Sequence, residues 1–396
     1  MTGYEHSAVQ RCSIIAIGPL PPPVSGGSIA FREVCDDLAR NGISCRVINI
    51  SPAQSSTIVG RRVVAARVRS WLGALATLHT ELSAAPGSTV YLLLGQARSS
   101  FARDLLCVAI GRWHGARIVG HVHGGCYDLL HDESGPVVRK AIRLMVRQLD
   151  RVVVLGETLR TMLDFEPSAS TRLTVVPNGL PSTAWSATAA RHITAGQPLE
   201  LLFLSNLIET KGYLDLISAA ALLRERGVDV RVHLAGEFRQ SPDDERVRSA
   251  EHARVILSET LRTLGMDDVV TLHGAVDDAG KRALLQRCHM LVLPTRYRFE
   301  GQPIAIIEAL AAGLPVVSTR FRAIPDIVQD RVTGVLVDDS SPEALCNAIM
   351  WLAQPDIYSR ASQAALDSAR ESLGSDRFLD RMRAVLAGAR PSLDAA

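Results

Sequence analysis

Two glutamates, Glu300 and Glu308, flank a proline and lead into an unbroken run of helix formers. Residues 291–317 read Leu-Val-Leu-Pro-Thr-Arg-Tyr-Arg-Phe-Glu300-Gly301-Gln302-Pro303-Ile304-Ala-Ile-Ile-Glu308-Ala-Leu-Ala-Ala-Gly313-Leu-Pro-Val-Val. An apolar strand ends at Pro294 and a polar loop carries Glu300. Pro303 suits a first helical turn, and Gly313 suits the position just past the last one. The backbone amides over 302–304 should then point out of a helix N-terminus bearing about half a positive charge, which is an anion site. Two acids beside an anion site make sense if they meet hydroxyls. Glu308, roughly one and a half turns into the helix, is placed for a ribose diol, and Glu300 for the hydroxyls of a sugar.

A cation belongs near such a site. Leu201-Leu-Phe-Leu-Ser205-Asn206-Leu-Ile-Glu-Thr-Lys211-Gly212 is a strand leaving through a short loop into a helix. Lys211 stands where that helix begins, able to meet a diphosphate as a point charge. Near the N-terminus, Gly18-Pro-Leu-Pro-Pro-Pro-Val-Ser-Gly26-Gly27-Ser28 follows the first strand and opens a helix. Its glycines let backbone come close to a ligand. The pattern is not GxGxxG and does not read as dinucleotide binding. A fourth loop, Ile118-Val-Gly-His121-Val-His123-Gly124-Gly125, ends a buried strand with two histidines on one face. No third ligand at suitable spacing accompanies them, so the sequence calls for no metal. His121 reads as a core histidine, His123 as the functional one, and His131 as structural.

These loops need a scaffold that brings them together. Short β-branched runs alternate with helical segments along the chain. Strands are expected over 13–18, 44–50, 89–94, 116–121, 151–155 and 172–176, then over 199–205, 229–236, 269–273, 289–294, 314–319 and 334–337. Amphipathic helices fill the gaps, for instance over 213–226 and 278–287. Apolar strands joined by helical crossovers mean parallel sheets covered on both faces. The alternation pauses once, at Pro177-Asn178-Gly179-Leu180-Pro181 and the Ser/Thr/Ala-rich stretch up to Pro198. With 396 residues, the chain exceeds what one core usually supports. The expected architecture is α/β: two Rossmann-like domains facing across a cleft, residues 1–180 and 181–375, with a C-terminal helix and tail over 376–396 packing back on the first. Ligands of such sheets sit beyond the C-terminal strand ends.

Composition narrows the function classes. The chain is 47% hydrophobic and 21% charged, with 43 basic and 41 acidic residues. A net charge of +2 gives no global field for nucleic acid. Seven scattered cysteines without a CxxC pair fit free thiols in a reducing compartment. The polar residues 1–11 do not read as a signal peptide, and no apolar run is long enough to span a bilayer. The expected location is cytoplasmic, with peripheral contact to the inner face of a membrane left open.

The full stretch from Glu300 to Val317 resembles the signature of retaining GT-B glycosyltransferases of family four (glycosyl transferases group 1). The order of Gly26-Gly27, His123, Pro177-Asn178-Gly179, Lys211-Gly212, Leu272-His273-Gly274-Ala275 and the glutamate pair matches that family from about residue 13 to residue 355. The resemblance implies a hexosyltransferase-type enzyme that needs neither metal nor cofactor and takes a nucleotide-diphosphate sugar, UDP most commonly. It implies that Gly26 and Gly27 face the donor phosphates and that His123 lies against the donor sugar. Gly274 would frame the base. Asn206, Lys211, Gly301, Gln302, Pro303 and Ile304 would hold the diphosphate, with Glu300 on the sugar and Glu308 on the ribose. His123, Glu300 and Lys211 would be the catalytic set. One departure stands out: the family shows Gly-Arg-Leu where this chain has Ser205-Asn206-Leu207. Lys211 must do more of the work, or Arg296 or Arg298 must contribute.

The acceptor, a saccharide or lipid-linked molecule of a bacterial cell-surface polysaccharide pathway, is expected on the first domain. Residues 61–82 place Val64, Val68, Trp71, Leu72, Leu75, Leu78 and Leu82 on one helical stripe, flanked by Arg61, Arg62, Arg67 and Arg69. Such a stripe reads as a core-facing helix. The alternative is an interfacial helix on anionic lipid. Two other functions remain in view: a nucleotide-sugar-binding protein without transfer activity, and a GT-B nucleotide-sugar epimerase. A glycosidase needs its carboxyls about 5 to 5.5 Å apart across one bond, which two acids on a single loop–helix segment serve poorly.

Overall fold

The computed structural model describes residues 13–22, 24–51, 61–194 and 196–388, with the backbone alone for 61–67. Residues 1–11, Cys12 and Pro23 therefore lie outside the description, as do the side chains of Arg61, Arg62, Val64 and Arg67.

Two six-stranded sheets carry the fold, and all their pairings are parallel. The first holds β1 (Ile14–Gly18), β2 (Cys45–Asn49), β3 (Thr89–Leu94), β4 (Arg117–Val122), β5 (Arg151–Val154) and β6 (Leu173–Val175), in the order β2-β1-β3-β4-β5-β6. The second holds β7 (Leu199–Leu204), β8 (Val230–Ala235), β9 (Val270–Gly274), β10 (Met290–Leu293), β11 (Val316–Thr319) and β12 (Gly334–Val337), in the order β12-β11-β10-β7-β8-β9. Every strand foreseen over these spans is present. The reason is visible in their burial. Thr-Val-Tyr-Leu-Leu-Leu of β3 and Met-Leu-Val-Leu of β10 are buried along their whole length, so both faces demand apolar side chains.

The strand order fixes where ligands fit. In the first sheet the chain reverses direction between β1 and β3, and in the second between β7 and β10. Loops leaving adjacent strands at such a switch point diverge to opposite faces and open a crevice. The loops that leave β1, β7 and β10 are the three carrying Gly26-Gly27, Lys211 and Glu300. Residues 177–194 and 196–198, between the sheets, hold no helix or strand.

Helices α1 (Gly26–Arg40), α2 (Arg61–Ala84), α3 (Arg98–Trp113), α4 (Tyr127–Asp132) and α5 (Pro136–Arg147) belong to the first sheet. The second is served by α6 (Tyr213–Glu225), α7 (Ala250–Leu264), α8 (Asp278–Arg287), α9 (Ile304–Ala311), α10 (Pro342–Leu352) and α11 (Pro355–Ser372). The last helix, α12 (Ser375–Leu386), leaves the second sheet and covers the first. Its Phe378, Leu379, Met382 and Leu386 pack with Phe31 and Leu38 of α1. Arg383 bonds Asp37 at 2.5 Å, and the Arg117 guanidinium donates to the carbonyls of Val385 and Leu386 at 2.7 and 3.0 Å. A cation there suits the negative end of the helix. On the other face of the first sheet lie α2, α3 and α5, through Leu78, Leu82, Phe101, Val108, Ile142 and Met145. The stripe on α2 thus splits: Leu78 and Leu82 are buried, while Val68 and Leu72 point to solvent.

Met382 is fully buried in that α1–α12 layer. Met382→Ala should lower the unfolding free energy by roughly 2–4 kcal/mol through lost burial and the cavity left behind. Urea unfolding checks this, and an unchanged midpoint would show that α12 is not anchored there.

Candidate active site

The two halves meet where glycines remove side chains from the seam. A Cβ on Gly301 would stand 2.2 Å from the His123 carbonyl oxygen, and one on Gly125 would stand 2.1 Å from that of Glu300. Each loop therefore seats its backbone against the other, and only residues without Cβ atoms allow it. Gln302 fixes the same junction. Its side-chain oxygen accepts from the Asn178 amide at 2.6 Å, and its Nε2 donates to the Leu155 carbonyl at 3.1 Å. Arg298 reaches Glu133 of the first half at 2.6 Å and Asp243 of the second at 3.0 Å.

Beside this seam two helices begin face to face. Ser25 caps α1: its Oγ accepts from the Ser28 amide at 3.2 Å, and the Ser28 Oγ accepts from the Ser25 amide at 2.9 Å. Gly26 and Gly27 are then the first two residues of the helix, with amides that no helical carbonyl can reach. The place for a Cβ on Gly26 lies 3.5 Å from the Ile304 side chain, and that on Gly27 lies 3.5 Å from His123. Ile304 is the first residue of α9, capped by Pro303. Two positive helix ends thus lie side by side, one from each sheet's set of helices. The sequence expectation of free amides over 302–304 needs a correction. Proline has no N–H, so the donors are Gln302, Ile304 and Ala305, and the Gln302 side chain is committed to the other half.

The charged groups here are paired. Lys211 Nζ sits 3.2 Å from a carboxylate oxygen of Glu300 and 2.9 Å from Ser205 Oγ, with the Tyr297 ring 5.1 Å away. Thr295 Oγ1 also donates to Glu300, at 3.2 Å. Glu308 is buried within α9, and Lys281 from α8 meets it at 2.6 Å. Burial raises the Glu308 pKa and the lysine opposes that shift. Arg296 is held outward by Asp215 at 2.5 Å and Ser340 at 3.0 Å. Arg296, Arg298 and Lys211 thus each hold a carboxylate in this structure. Asn206 itself is half-buried in the loop after β7. Gly274 ends β9 at φ +67°, with open space around its Cα, and its carbonyl accepts from the Gly236 amide at 2.8 Å.

The two histidine rings lie 4.1 Å apart between centroids, tilted by 46°. His121 is fully buried and shares a 2.9 Å hydrogen bond with Tyr91 through Nδ1, but its Nε2 has no partner. It is thus a half-satisfied core residue, not a fully satisfied one. His123 is half-buried, with a shielded Nε2 that meets no protein group. Desolvation holds His123 down to about 3, so the ring is neutral near pH 7. Among the described residues no three His, Cys, Asp or Glu side chains cluster as metal ligands do.

With this geometry in hand, comparison with known proteins is informative. Residues 198–355 match the model of the family described as Glycosyl transferases group 1. The putative colanic acid biosynthesis glycosyltransferase WcaL of Salmonella typhimurium is 28% identical over 185 residues, which is 46% of this chain and 42% of that protein. The matched segment is thus less than half the length of that relative. A glycosyltransferase from Rickettsia africae superposes with a TM-score of 0.71 at 15% identity, covering 96% of this chain and 98% of the other. Anabaena Alr3699/HepE, in complex with UDP and glucose, gives a TM-score of 0.69 at 15% identity over 95% of this chain and the whole of that one. The fold is that of the GT-B glycosyltransferases.

Within this GT-B frame, close contacts link Gly26 to Ile304, Gly27 and Gly301 to His123, and Lys211 to Glu300, while Glu308 is buried in α9 and bonded to the half-buried Lys281. Sequence reasoning missed Lys281, Ser205, Thr295 and the Tyr91–His121 bond. Ser25, three residues before Ser28 and ahead of an apolar run, was the one local signal available, a capping pattern. The rest are partners that only the fold brings close.

The depressed His123 pKa makes a pH prediction. Between pH 6.5, the ordinary histidine value, and about 3, the unfolded chain binds a proton there that the folded chain refuses. Stability is therefore full above pH 6.5 and falls as pH drops below it, by up to about 1.4 kcal/mol per pH unit for one such proton. His123→Asn should flatten that loss in thermal or urea unfolding at pH 7.5 and pH 5. An equal pH slope in the variant would contradict the assignment.

Proposed function

We propose that the chain is a retaining, metal-independent glycosyltransferase of family four that moves a hexose from a UDP-sugar to a saccharide or lipid-linked acceptor in bacterial surface-polysaccharide synthesis. The single observation that carries this reading is the approach of two helix starts, α1 at Gly26 and α9 at Ile304, beside the Lys211–Glu300 pair. Only a ligand with dense negative charge and adjoining hydroxyls answers all of these groups together. A nucleotide diphosphate sugar is such a ligand, and UDP accompanies the related fold of HepE.

Each residue then has a part. The amides of Gly26 and Gly27 on one side, and of Gln302, Ile304 and Ala305 on the other, receive the diphosphate. Lys211 offsets the charge that grows on the leaving phosphate. Asn206 adds a neutral donor, Gly274 lies beside the base, and Glu308 takes the ribose diol in exchange for part of its bond to Lys281. Glu300, held by Lys211 and Thr295, and the neutral His123 orient the sugar hydroxyls. The bond from the anomeric carbon to the diphosphate breaks while the acceptor oxygen bonds to that carbon from the same face. The acceptor proton passes to the departing phosphate oxygen. Positioning and charge stabilisation are what the protein supplies.

In this reading residues 1–180 form the acceptor side, 181–375 the donor side, and 376–396 a return segment. The enzyme works in the cytoplasm. Neither the matched family nor the similar proteins favours binding without transfer, or epimerisation.

Lys211→Ala and Glu308→Gln should each cut turnover of UDP-sugars by roughly a hundredfold or more, the scale of losing one preorganised charge stabiliser, while the fold survives. A thermal-shift screen of UDP- and GDP-sugars identifies the donor beforehand, since binding stabilises the folded state by mass action. Full turnover in both variants, with wild-type melting, would discard the assignment.

A further inference from the structure

The strongest unassigned feature lies away from the cleft, on the outer surface of α2, α3 and α5. These helices pack side by side over one core. Among the described residues twelve large apolar side chains are exposed, and six of them are here: Val68, Leu72, Leu106, Trp113, Val137 and Leu144, from 44% exposed at Val68 to 84% at Trp113. The other six are scattered, so the concentration is local. On α3 the outward positions Ala102, Leu106, Ala109 and Trp113 form an unbroken apolar ridge at helical spacing. A soluble helix normally puts charge on that face.

The helices that carry the ridge are predominantly basic. The three helices contain eleven Lys and Arg residues and only two acids, Glu81 and Asp104, in a chain whose net charge is +2. Both acids are spent: Asp104 is buried against Arg103 at 2.6 Å, and Glu81 pairs with Arg46 at 3.0 Å. Arg112 and Arg147 are also paired, with Asp150 and Glu166. No carboxylate lies within ion-pair distance of Arg69, Arg98, Arg139, Lys140 or Arg143 among the described residues. Arg139 and Arg143 bond the carbonyls of His131 and Asp132 and the His131 ring, and no carboxylate among the described residues pairs with them.

We propose that this three-helix face seats the protein on an anionic lipid bilayer, with Leu106, Trp113 and Leu144 entering the interface and Arg69, Lys140, Arg139 and Arg143 lying against the headgroups. Apolar side chains together with cations on the same helices match that surface. Two copies of the chain would bring like charge against like charge, which disfavours self-association. A nucleic acid would leave the apolar ridge unused. The starts of α3 and α5 lie at the same strand ends as the cleft, so a bilayer here would border the cleft mouth. The inference stands on surface geometry and does not need the transfer reading.

Co-sedimentation of the full chain with vesicles tests it. Vesicles of equal parts phosphatidylcholine and phosphatidylglycerol should carry the protein down at low salt, while vesicles of phosphatidylcholine alone should not. Leu106→Glu with Trp113→Glu, and separately Arg69→Glu with Lys140→Glu, should each weaken partitioning by roughly tenfold or more. Each variant should unfold in one cooperative thermal transition, as the wild type does, showing that it folds. No sedimentation of the wild type, or unchanged partitioning in both variants, overturns the proposal. So does light scattering that shows a dimer in the wild type and a monomer in the Leu106/Trp113 variant, because the ridge would then belong to a second copy.

Discussion

The seam between His123-Gly124-Gly125 and Glu300-Gly301 is the constraint on which the rest depends. Two backbones touch where any Cβ would collide with a carbonyl oxygen about 2 Å away. That contact sets the distance between the sheets. It also sets how far the start of α1 lies from the start of α9, and so whether two helix dipoles act on one ligand or on two separate surfaces. Helix-end electrostatics fade within a turn. A seam one side chain wider would leave each end solvated and weak.

Around that seam the molecule tolerates polar groups that a core would reject. Glu308 is buried with one lysine, His121 and His123 each keep an unpartnered Nε2, and Arg298 and Arg322 keep unpartnered Nε atoms. Buried donors and acceptors without partners cost stability. They lie on β4 and the loop after it, on α9, and on the loops after β10 and β11.

The scaffold was legible in the sequence because burial on both faces forces continuous apolar runs in the central strands such as β3 and β10, while the β2 and β9 edges show as short β-branched segments. The site was legible where chemistry and chain direction coincide, as at Glu300, Glu308 and Lys211. It was illegible where a side chain's partner is distant in sequence. Gln302 reads as a donor contact, yet its amide spans to Asn178 and Leu155. Lys281 carries no local mark and is found only because α8 lies beside α9. Gly26 and Gly27 read as a pliant loop, but the cap at Ser25 draws them into the first turn of α1. The apolar stripe of 61–82 reads as one face, whereas only Leu78 and Leu82 join the core and Val68 and Leu72 stand in solvent.

Calorimetric titration with uridine, UMP and UDP in turn tests the central claim most directly, because the three ligands differ only in phosphate count. If the opposed helix starts and Lys211 form a diphosphate site, affinity should rise steeply from UMP to UDP, and the increment should shrink in Lys211→Ala. Equal affinity for UMP and UDP, or an increment untouched by that substitution, would contradict the account.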